Sequence, residues 1–218
     1  MSRAKTDLRP QQARSAETRA AILAAAADAF AESGPAGART GAIAAAAGVN
    51  KAMLYYYFRS KSHLFEAVVE NHFAEFNRRA LEVLAAPGPA RSVLLRYVNL
   101  HFDFIIAGQR HARIDQQMMM TGGRPLERLV RKHFLPRTLA LDRVLERGMR
   151  TGEFRRADRR HTAISIVALI VFYFSASQVL QFLGQPGAYD RAGLKARKRE
   201  VLDFIRHGLF TDPDAPLS

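Results

Sequence analysis

The sequence predicts an all-α fold of about nine helices. Apolar residues recur at helical spacing through most of the 218 residues, and strand-like alternation is nearly absent. A hydrophobic fraction of 48% supplies enough apolar side chains for one or two cores. Glycines and prolines interrupt the helical pattern at Gly34-Pro35, Pro87-Gly88-Pro89, Gly108, Gly122-Gly123 with Pro125, Gly152, and Gly184 to Gly187.

The N-terminal segment is basic. Residues 1–14 hold four arginine or lysine side chains and no apolar run, so they are predicted to form a disordered basic arm and not a secretion signal. Ser15 can cap the first helix that follows it. In that helix Ile22, Ala26 and Phe30 fall on one stripe, which is predicted to face a core.

A helix and a tight turn are predicted next. The second helix is predicted to begin with Thr40 as its N-cap and to run to Ala47. Gly48 then allows the left-handed backbone of a turn. Ala44 is small, as required where two helices cross closely. A short third helix, from Asn50 to Tyr57, completes a predicted helix-turn-helix.

The third helix is predicted to contact DNA. A DNA-reading helix needs polar or aromatic groups near its N-terminus. Lys51 can bond guanine or a phosphate, Asn50 can pair with adenine, and Met53 and Tyr55 offer apolar contact to thymine methyls. Two further residues, Thr40 and Lys61 on neighbouring helices, are predicted to contact phosphates. The full set of predicted DNA-binding residues is Thr40, Asn50, Lys51, Ala52, Met53, Tyr55, Tyr57 and Lys61.

Three consecutive tyrosines lie in this helix. Because neighbours on a helix are about 100° apart, they cannot all face one core. Tyr55 and Tyr57 are predicted to point outward, where a phenol can bond a phosphate, and Tyr56 is predicted to pack inside the domain.

The two phosphate contacts are predicted at the starts of neighbouring helices. Thr40 begins a helix whose free N–H groups and positive dipole end attract a phosphate, although simple capping is an alternative role. Lys61 opposes the dipole of a fourth helix, and a phosphate contact would rationalise that placement.

A long fourth helix is predicted from its cap at Ser60 to about Leu84, followed by a junction at residues 86–89. The predicted domains divide inside this helix. They are the arm at residues 1–14, a DNA-binding domain at 15–66, an effector-binding and dimerisation domain at 67–210, and a tail at 211–218.

The C-terminal half contains a long uncharged run, Thr162 to Tyr189. A helix of about 20 residues could span a membrane, but serine and glutamine side chains interrupt the apolar surface and no second span exists. The favoured interpretation is a buried helix at the centre of a dimer. An amphipathic helix from Gly193 to Leu209 could complete the bundle.

An apolar effector pocket with a few polar anchors is predicted in this half. Pro136 should break or kink the helix predicted over residues 126–149, where a pocket mouth or movable element could form. For each pocket residue, ordinary core packing is the alternative. The candidates are His101, Phe102, Phe104, Gln117, Met118, Phe172 and Phe174.

Composition limits the classes of function. The absence of cysteine excludes disulfides and thiolate chemistry, and it fits a reducing cytoplasm. No catalytic motif, phosphate loop or metal-ligand spacing is present, so no enzyme activity, catalytic residue, metal or cofactor is predicted. The net charge of +13 favours an anionic partner. Only part of that excess lies in residues 1–65, so charge alone does not locate a DNA site.

The first helix and the helix-turn-helix described above resemble the TetR/AcrR (tetracycline-repressor-like) family over roughly residues 15–70. Two departures are Ala52, where the family often has a small turn-forming residue, and His63, where an acidic capping residue is common. Base preference is therefore not predicted. The matching residues are Ile22-Leu23, Ala26, Phe30 and Gly34 in the first helix, then Thr40, Ile43-Ala44, Ala47-Gly48-Val49, Leu54-Tyr55, Phe58, Ser60-Lys61 and Leu64-Phe65.

The resemblance implies a homodimer that binds an inverted-repeat operator. The last two long helices of each C-terminal domain would pair across the dimer. The resemblance also implies a recognition helix at Asn50 to Tyr57 and release of double-stranded operator DNA when a small hydrophobic or amphipathic effector binds. We therefore expect a cytoplasmic, ligand-responsive repressor without a membrane partner. Its strong positive charge leaves a non-specific architectural DNA-binding protein as the alternative.

Overall fold

The computed structural model describes residues 8–108, 123–185 and 189–215, and the predicted all-α fold is confirmed in them. These ranges contain nine helices and, as their one β pairing, a single bridge between Phe154 and Phe210. The helices are α1 (Leu8–Gly37), α2 (Thr40–Ala46), α3 (Lys51–Phe58), α4 (Lys61–Ala85), α5 (Ala90–Ala107), α6 (Gly123–Leu129, continuing through Val130–Phe134 to Leu135–Thr151), α7 (Arg159–Ser175), α8 (Ser177–Phe182) and α9 (Arg191–Leu209).

The described residues divide into two compact units. The first contains residues 8–72 and 123–125, and the second contains 73–108, 126–185 and 189–215. The division falls inside α4, between His72 and Phe73. The predicted domain limits stay a prediction.

Helix α1 begins earlier than predicted. It starts at Leu8, so the prediction of a helix capped by Ser15 was wrong, and residues 8–14 of the predicted arm are helical. Pro10 lies in the first turn, where no intrahelical N–H is required, and the residues after it have good helix propensity. The predicted break at Gly34 is present, with φ of 68° and ψ of 169°.

The core of the first unit contains the predicted stripe of α1. Ile22, Ala26 and Phe30 are fully buried. The ring of Phe30 meets the ring of Phe65 from α4 edge-on, with 5.3 Å between the centroids. Leu54 of α3 is also fully buried, so the short third helix has an apolar anchor in this core.

The second unit has its core among α4, α5, α6, α7 and α9. Tyr97 and Phe102 of α5, Leu145 of α6, Ile170 of α7 and Val201 of α9 are its deeply buried members. Exposure of this apolar surface to water would be the main free-energy cost of unfolding the unit.

Helix α6 is irregular where Pro136 was predicted to disturb it. The five residues Val130–Phe134 form a π-helical turn that ends two residues before the proline, which lies in the first turn of the segment Leu135–Thr151. Proline has no N–H and its ring clashes with the preceding turn, so a widened turn accommodates it without ending the helix.

The uncharged run from Thr162 to Tyr189 is not one helix, contrary to the prediction. Helix α7 ends at Ser175, a one-residue turn at Ala176 follows, and α8 ends at Phe182. No helix in the described ranges combines the length and apolar character of a membrane span.

Candidate nucleic-acid interface and effector region

The corner between α2 and α3 has the predicted geometry. Gly48 has φ of 69°, the left-handed backbone that glycine adopts without steric cost. Ala44 is buried, and its carbonyl accepts a hydrogen bond from Val49 N at 3.0 Å. Leu54, ten residues after Ala44, is fully buried. The direction of α3 is therefore fixed by a small residue, a glycine and an apolar anchor.

Asn50 has a structural role that the sequence analysis missed. It is the N-cap of α3, and its side-chain oxygen accepts a hydrogen bond from Met53 N at 2.8 Å. The predicted adenine contact uses both ends of the carboxamide, so the capped conformation leaves only the NH₂ end directed to another partner. A sequence signal did exist, because Asn is among the preferred N-cap residues.

The first turn of α3 presents the other predicted base contacts to solvent. Lys51, Ala52 and Met53 are exposed. The Lys51 ammonium lies 6.0 Å from the centre of the Tyr55 ring, at the outer limit of a cation–π contact. This part of the helix therefore offers one cation and one flexible apolar side chain.

Two of the three tyrosines differ from the prediction, whereas Tyr55 is exposed as predicted. Tyr56 is the most exposed at 82%, so the prediction that it packs inside was wrong. Position 56 is about 200° from both Leu54 and Phe58, which are buried, and therefore points away from the core. Tyr57, predicted to point outward, is only partly exposed.

Two tyrosine hydroxyls bind neighbouring helices. The Tyr55 hydroxyl and the Thr40 hydroxyl of α2 are 3.2 Å apart. The Tyr57 hydroxyl and the Ser15 hydroxyl of α1 are 3.0 Å apart. These contacts position α3 against both helices, and they give Ser15 a partner in place of the predicted cap.

Thr40 is not the N-cap of α2, which corrects the prediction by one residue. The cap position is Arg39, whose backbone is extended and whose side chain makes no capping hydrogen bond. Helix limits commonly differ by a residue, because the cap and first helical positions are adjacent. The Thr40 hydroxyl instead contacts Tyr55.

Lys61 has partners within the protein. Its ammonium donates to the carbonyl oxygens of Ala36, in the last turn of α1, at 3.0 Å and of Ala38, just after that helix, at 3.2 Å. A cation stabilises the negative end of a helix, so this contact explains a lysine at the start of α4. The predicted cap at Ser60 is confirmed, since its hydroxyl accepts from His63 N at 3.1 Å.

Four of the five described members of the predicted effector pocket pack into the core of the second unit, and the fifth does not. His101, Phe102 and Phe174 are buried, and Phe104 stacks on Phe76 with 4.6 Å between ring centres. Phe172 is 68% exposed, so its assignment to the pocket was wrong. It lies two residues from buried Ile170 and Phe174, on the opposite side of α7. Gln117 and Met118 fall outside the described residues.

His101 has the most altered environment of these residues. Its ring centre lies 4.6 Å from that of Phe76 and 5.8 Å from that of Tyr97. Burial, reinforced by the charge of Arg137, lowers the pKa of His101 to about 3. The imidazole is therefore neutral near pH 7.

Within the described ranges, no three acidic or histidine side chains are grouped as metal ligands would be.

Comparisons with known proteins match both parts of the chain. Residues 22–68 match the family described as bacterial regulatory proteins, tetR family, and residues 91–205 match the tetracyclin repressor-like C-terminal domain. The HTH-type transcriptional repressor NicS of Pseudomonas putida is 32% identical over 221 residues, covering 94% of this chain and 95% of that protein.

Solved structures share the fold at lower identity. A transcriptional regulator from Saccharomonospora viridis in complex with choline superposes with a TM-score of 0.75 at 21% identity, covering 89% of this chain and 98% of that one. The regulator FadR of Bacillus subtilis in complex with stearoyl-CoA gives a TM-score of 0.69 at 22% identity, covering 85% of this chain and 96% of that one.

Proposed function

Because the chain belongs to the TetR family of bacterial regulatory proteins, we propose that it is a cytoplasmic, ligand-responsive repressor that binds an inverted-repeat operator as a homodimer. The observation that carries the proposal is α3, a short helix fixed to its neighbours on one side and exposed in its first turn. A small hydrophobic or amphipathic effector, bound in the second unit, releases the operator.

Base recognition belongs to the exposed part of α3. Lys51 bonds guanine acceptors or a phosphate, the NH₂ of Asn50 is directed to a base edge, and Met53 contacts thymine methyls. Tyr56, with its exposed phenol, joins them as a phosphate contact. Tyr55 and Tyr57 act mainly by holding α3 in place.

Phosphate contacts from the flanking helices complete the interface. Thr40 and Lys61 stay in the proposed set, each close to a helix start and each already tied to the first unit. Groups held in this way contact a phosphate with little loss of conformational freedom, which favours binding.

The homodimer is supported by exposed apolar side chains on the last three helices. We call these the apolar face. Large hydrophobic side chains on a protein surface mark interaction sites when they form a contiguous patch. The apolar face consists of Ile164 and Phe172 on α7, Val179 and Phe182 on α8, Leu183 beyond α8, and Phe204 on α9.

Effector control is proposed to act through α4. Its residues 61–72 belong to the first unit and its residues 73–85 to the second. A displacement of this helix on effector binding would change the separation of the two recognition helices in the dimer. Full switching requires the effector to prefer the non-binding conformer by several kcal/mol.

Names of related proteins agree with such control. NicS is a transcriptional repressor, and two structural neighbours are described in complexes with choline and stearoyl-CoA.

The second candidate function, a non-specific architectural DNA-binding protein, is favoured by the net charge of +13.

The test compares DNA from the promoter region beside the gene with a scrambled fragment at fixed salt, using fluorescence anisotropy. Lys51→Ala should weaken promoter binding about tenfold or more and reduce the preference over scrambled DNA. Lys195→Ala, which removes the same charge from an exposed position of α9, is the matched control and should keep that preference. Equal affinity of the unaltered protein for both fragments would support the architectural alternative instead.

A further inference from the structure

Arg137, in α6, is a buried cation without an anionic partner. Arg137 is only 8% exposed to solvent. Among the described residues no Asp or Glu forms an ion pair with it, and its Nη1 atom makes no hydrogen bond. Arginine stays protonated in proteins, so this position keeps a positive charge inside the second unit.

The neighbours of Arg137 are aromatic rings with unused polar atoms. The guanidinium carbon lies 4.8 Å from the centre of the Phe76 ring and 5.1 Å from that of Phe134. Tyr97 and His101 lie on the same side of α5 and close to the Arg137 charge. The Tyr97 hydroxyl lies close enough to the Arg137 guanidinium to interact with it, but by strict geometry neither this buried hydroxyl nor His101 Nδ1 completes a hydrogen bond.

This arrangement is costly for the folded protein. A buried charge is normally compensated by a partner of opposite charge, and an unpaired buried polar atom forfeits its hydrogen bond to water. Contacts with Phe76 and Phe134 offset only part of that cost. Burial lowers the pKa of Arg137 and raises that of Tyr97. The phenol therefore stays neutral and cannot neutralise the guanidinium.

One ligand group would satisfy all three residues. A carboxylate accepts two parallel hydrogen bonds from a guanidinium. The Tyr97 hydroxyl can donate to it, and neutral His101 can donate through Nδ1 when the proton is on that nitrogen. The surrounding phenyl rings suit an apolar remainder of the ligand.

We infer that the effector of this regulator is a small organic carboxylate whose anionic group is bound by Arg137, Tyr97 and His101 and whose apolar body lies among the neighbouring phenyl rings. The inference rests on the proposed function, in which the second unit receives the effector. It adds the chemical class of that effector and three residues that bind its charge.

Thermal unfolding of the full-length protein tests the inference. The probes are benzoate, phenylacetate and octanoate, each compared with its uncharged amide at equal ionic strength. At 100 times its dissociation constant, a binding carboxylate should raise the unfolding midpoint by about 5 °C or more. The corresponding amide should leave the midpoint nearly unchanged.

Variants assign the effect to the site. Arg137→Met should abolish the shift, and Tyr97→Phe should weaken the apparent affinity several-fold while keeping the ring. Arg143→Met, which removes an exposed arginine from the same helix, is the matched control and should keep the full shift. If Arg137→Met fails to fold by circular dichroism, Tyr97→Phe and His101→Gln decide the assignment.

Three results would overturn the inference. They are no shift with any of the carboxylates, an equal shift with the amides, or a shift that survives in the variants of the site. Binding of the ligand-free protein to promoter DNA is measured separately. Selective DNA binding without a carboxylate effect would refute this inference alone, whereas a carboxylate effect without selective DNA binding would refute the proposed function.

Discussion

The carboxamide of Asn50 has two polar ends, and α3 uses one of them. Its oxygen caps the helix by accepting from Met53 N, and its NH₂ group is proposed to contact a base. In this proposal one side chain contributes both to stability and to recognition. Variants that separate the two ends of the carboxamide separate these contributions.

Asn50→Ser should keep the cap, because the serine hydroxyl also accepts from the backbone, but it removes the amide. Stability to urea should stay nearly unchanged, whereas promoter affinity should fall. Asn50→Ala should lower both, with a loss of about 1 kcal/mol in the free energy of unfolding. Denaturant unfolding and anisotropy measure the two quantities. Unchanged promoter affinity in Asn50→Ser would remove Asn50 from the recognition set.

His101 makes folding sensitive to acid. Its pKa of about 3 in the folded protein lies below the ordinary value near 6.5 of an unfolded chain. Between these values the unfolded state binds the additional proton, so stability is constant above about pH 7 and falls as the pH is lowered toward 3. The slope approaches about 1.4 kcal/mol per pH unit.

Lowering the pH from 7 to 5 should therefore cost about 2 kcal/mol through His101. His101→Gln, which cannot titrate in this range, should lose that part of the pH dependence in urea unfolding curves. His161→Gln alters an exposed histidine at the start of α7 and serves as the control. Identical pH dependence in His101→Gln and the unaltered protein would contradict the buried neutral imidazole.

At the scale of elements, helix ends depended on whether the local signal was complete. Ser60 caps α4 as predicted, because its hydroxyl accepts a hydrogen bond from the backbone N–H of His63, which has no partner within the helix. Ser15 lies inside α1, because the helix-forming residues before it let the helix start at Leu8. A capping residue predicts a helix start only where the preceding residues cannot themselves be helical.

Gly148 illustrates a contact that helix propensity does not contain. It lies in the last part of α6, where alanine would normally stabilise a helix by about 1 kcal/mol. A Cβ atom built on Gly148 would come within 2.1 Å of the Phe154 ring. The ring of Phe154 is itself stacked on Phe210, with 5.3 Å between the centroids, so it has little room to move.

Gly148→Ala should therefore lower the free energy of unfolding by about 1–3 kcal/mol. Gly41→Ala is the matched control, because a Cβ there has no atom within 4 Å, and it should be neutral or slightly stabilising. Chemical denaturation measures both. Greater stability in Gly148→Ala would mean that the Phe154 ring moves aside at little cost.

At the scale of the whole molecule, the proposed function depends on assembly into a dimer. A dimer on an inverted repeat binds two half-sites at once, so loss of the dimer removes most of the operator affinity. The apolar face is the surface proposed to pair. Phe172 lies within it and is the largest exposed hydrophobic side chain of α7.

Phe172→Arg should convert the dimer to a monomer, because a charge would be buried against apolar side chains without a partner. Sedimentation velocity measures the mass, and anisotropy should show a parallel loss of operator affinity. Leu139→Arg places the same charge on an exposed apolar residue of α6 outside the apolar face and should leave the mass unchanged. A dimeric Phe172→Arg protein would place the pairing surface elsewhere.

The sequence by itself determined the helical class and the helix-turn-helix corner, because both depend on local signals: helical spacing of apolar residues, a small residue at position 44 and a glycine at position 48. The same local spacing predicted the buried stripe of α1. Family membership then followed from motifs within one continuous stretch.

Only the tertiary structure decided which sides of the helices are used. Tyr56 is outside and Tyr57 is tied to α1 because α3 rotates so that Leu54 and Phe58 reach the core. Likewise, Phe172 turns away from Phe174, and Arg137 is brought among the rings of Phe76 and Phe134. Periodicity gives relative angles along one helix, whereas its absolute rotation and the contacts between distant residues are set by the packing of all its neighbours.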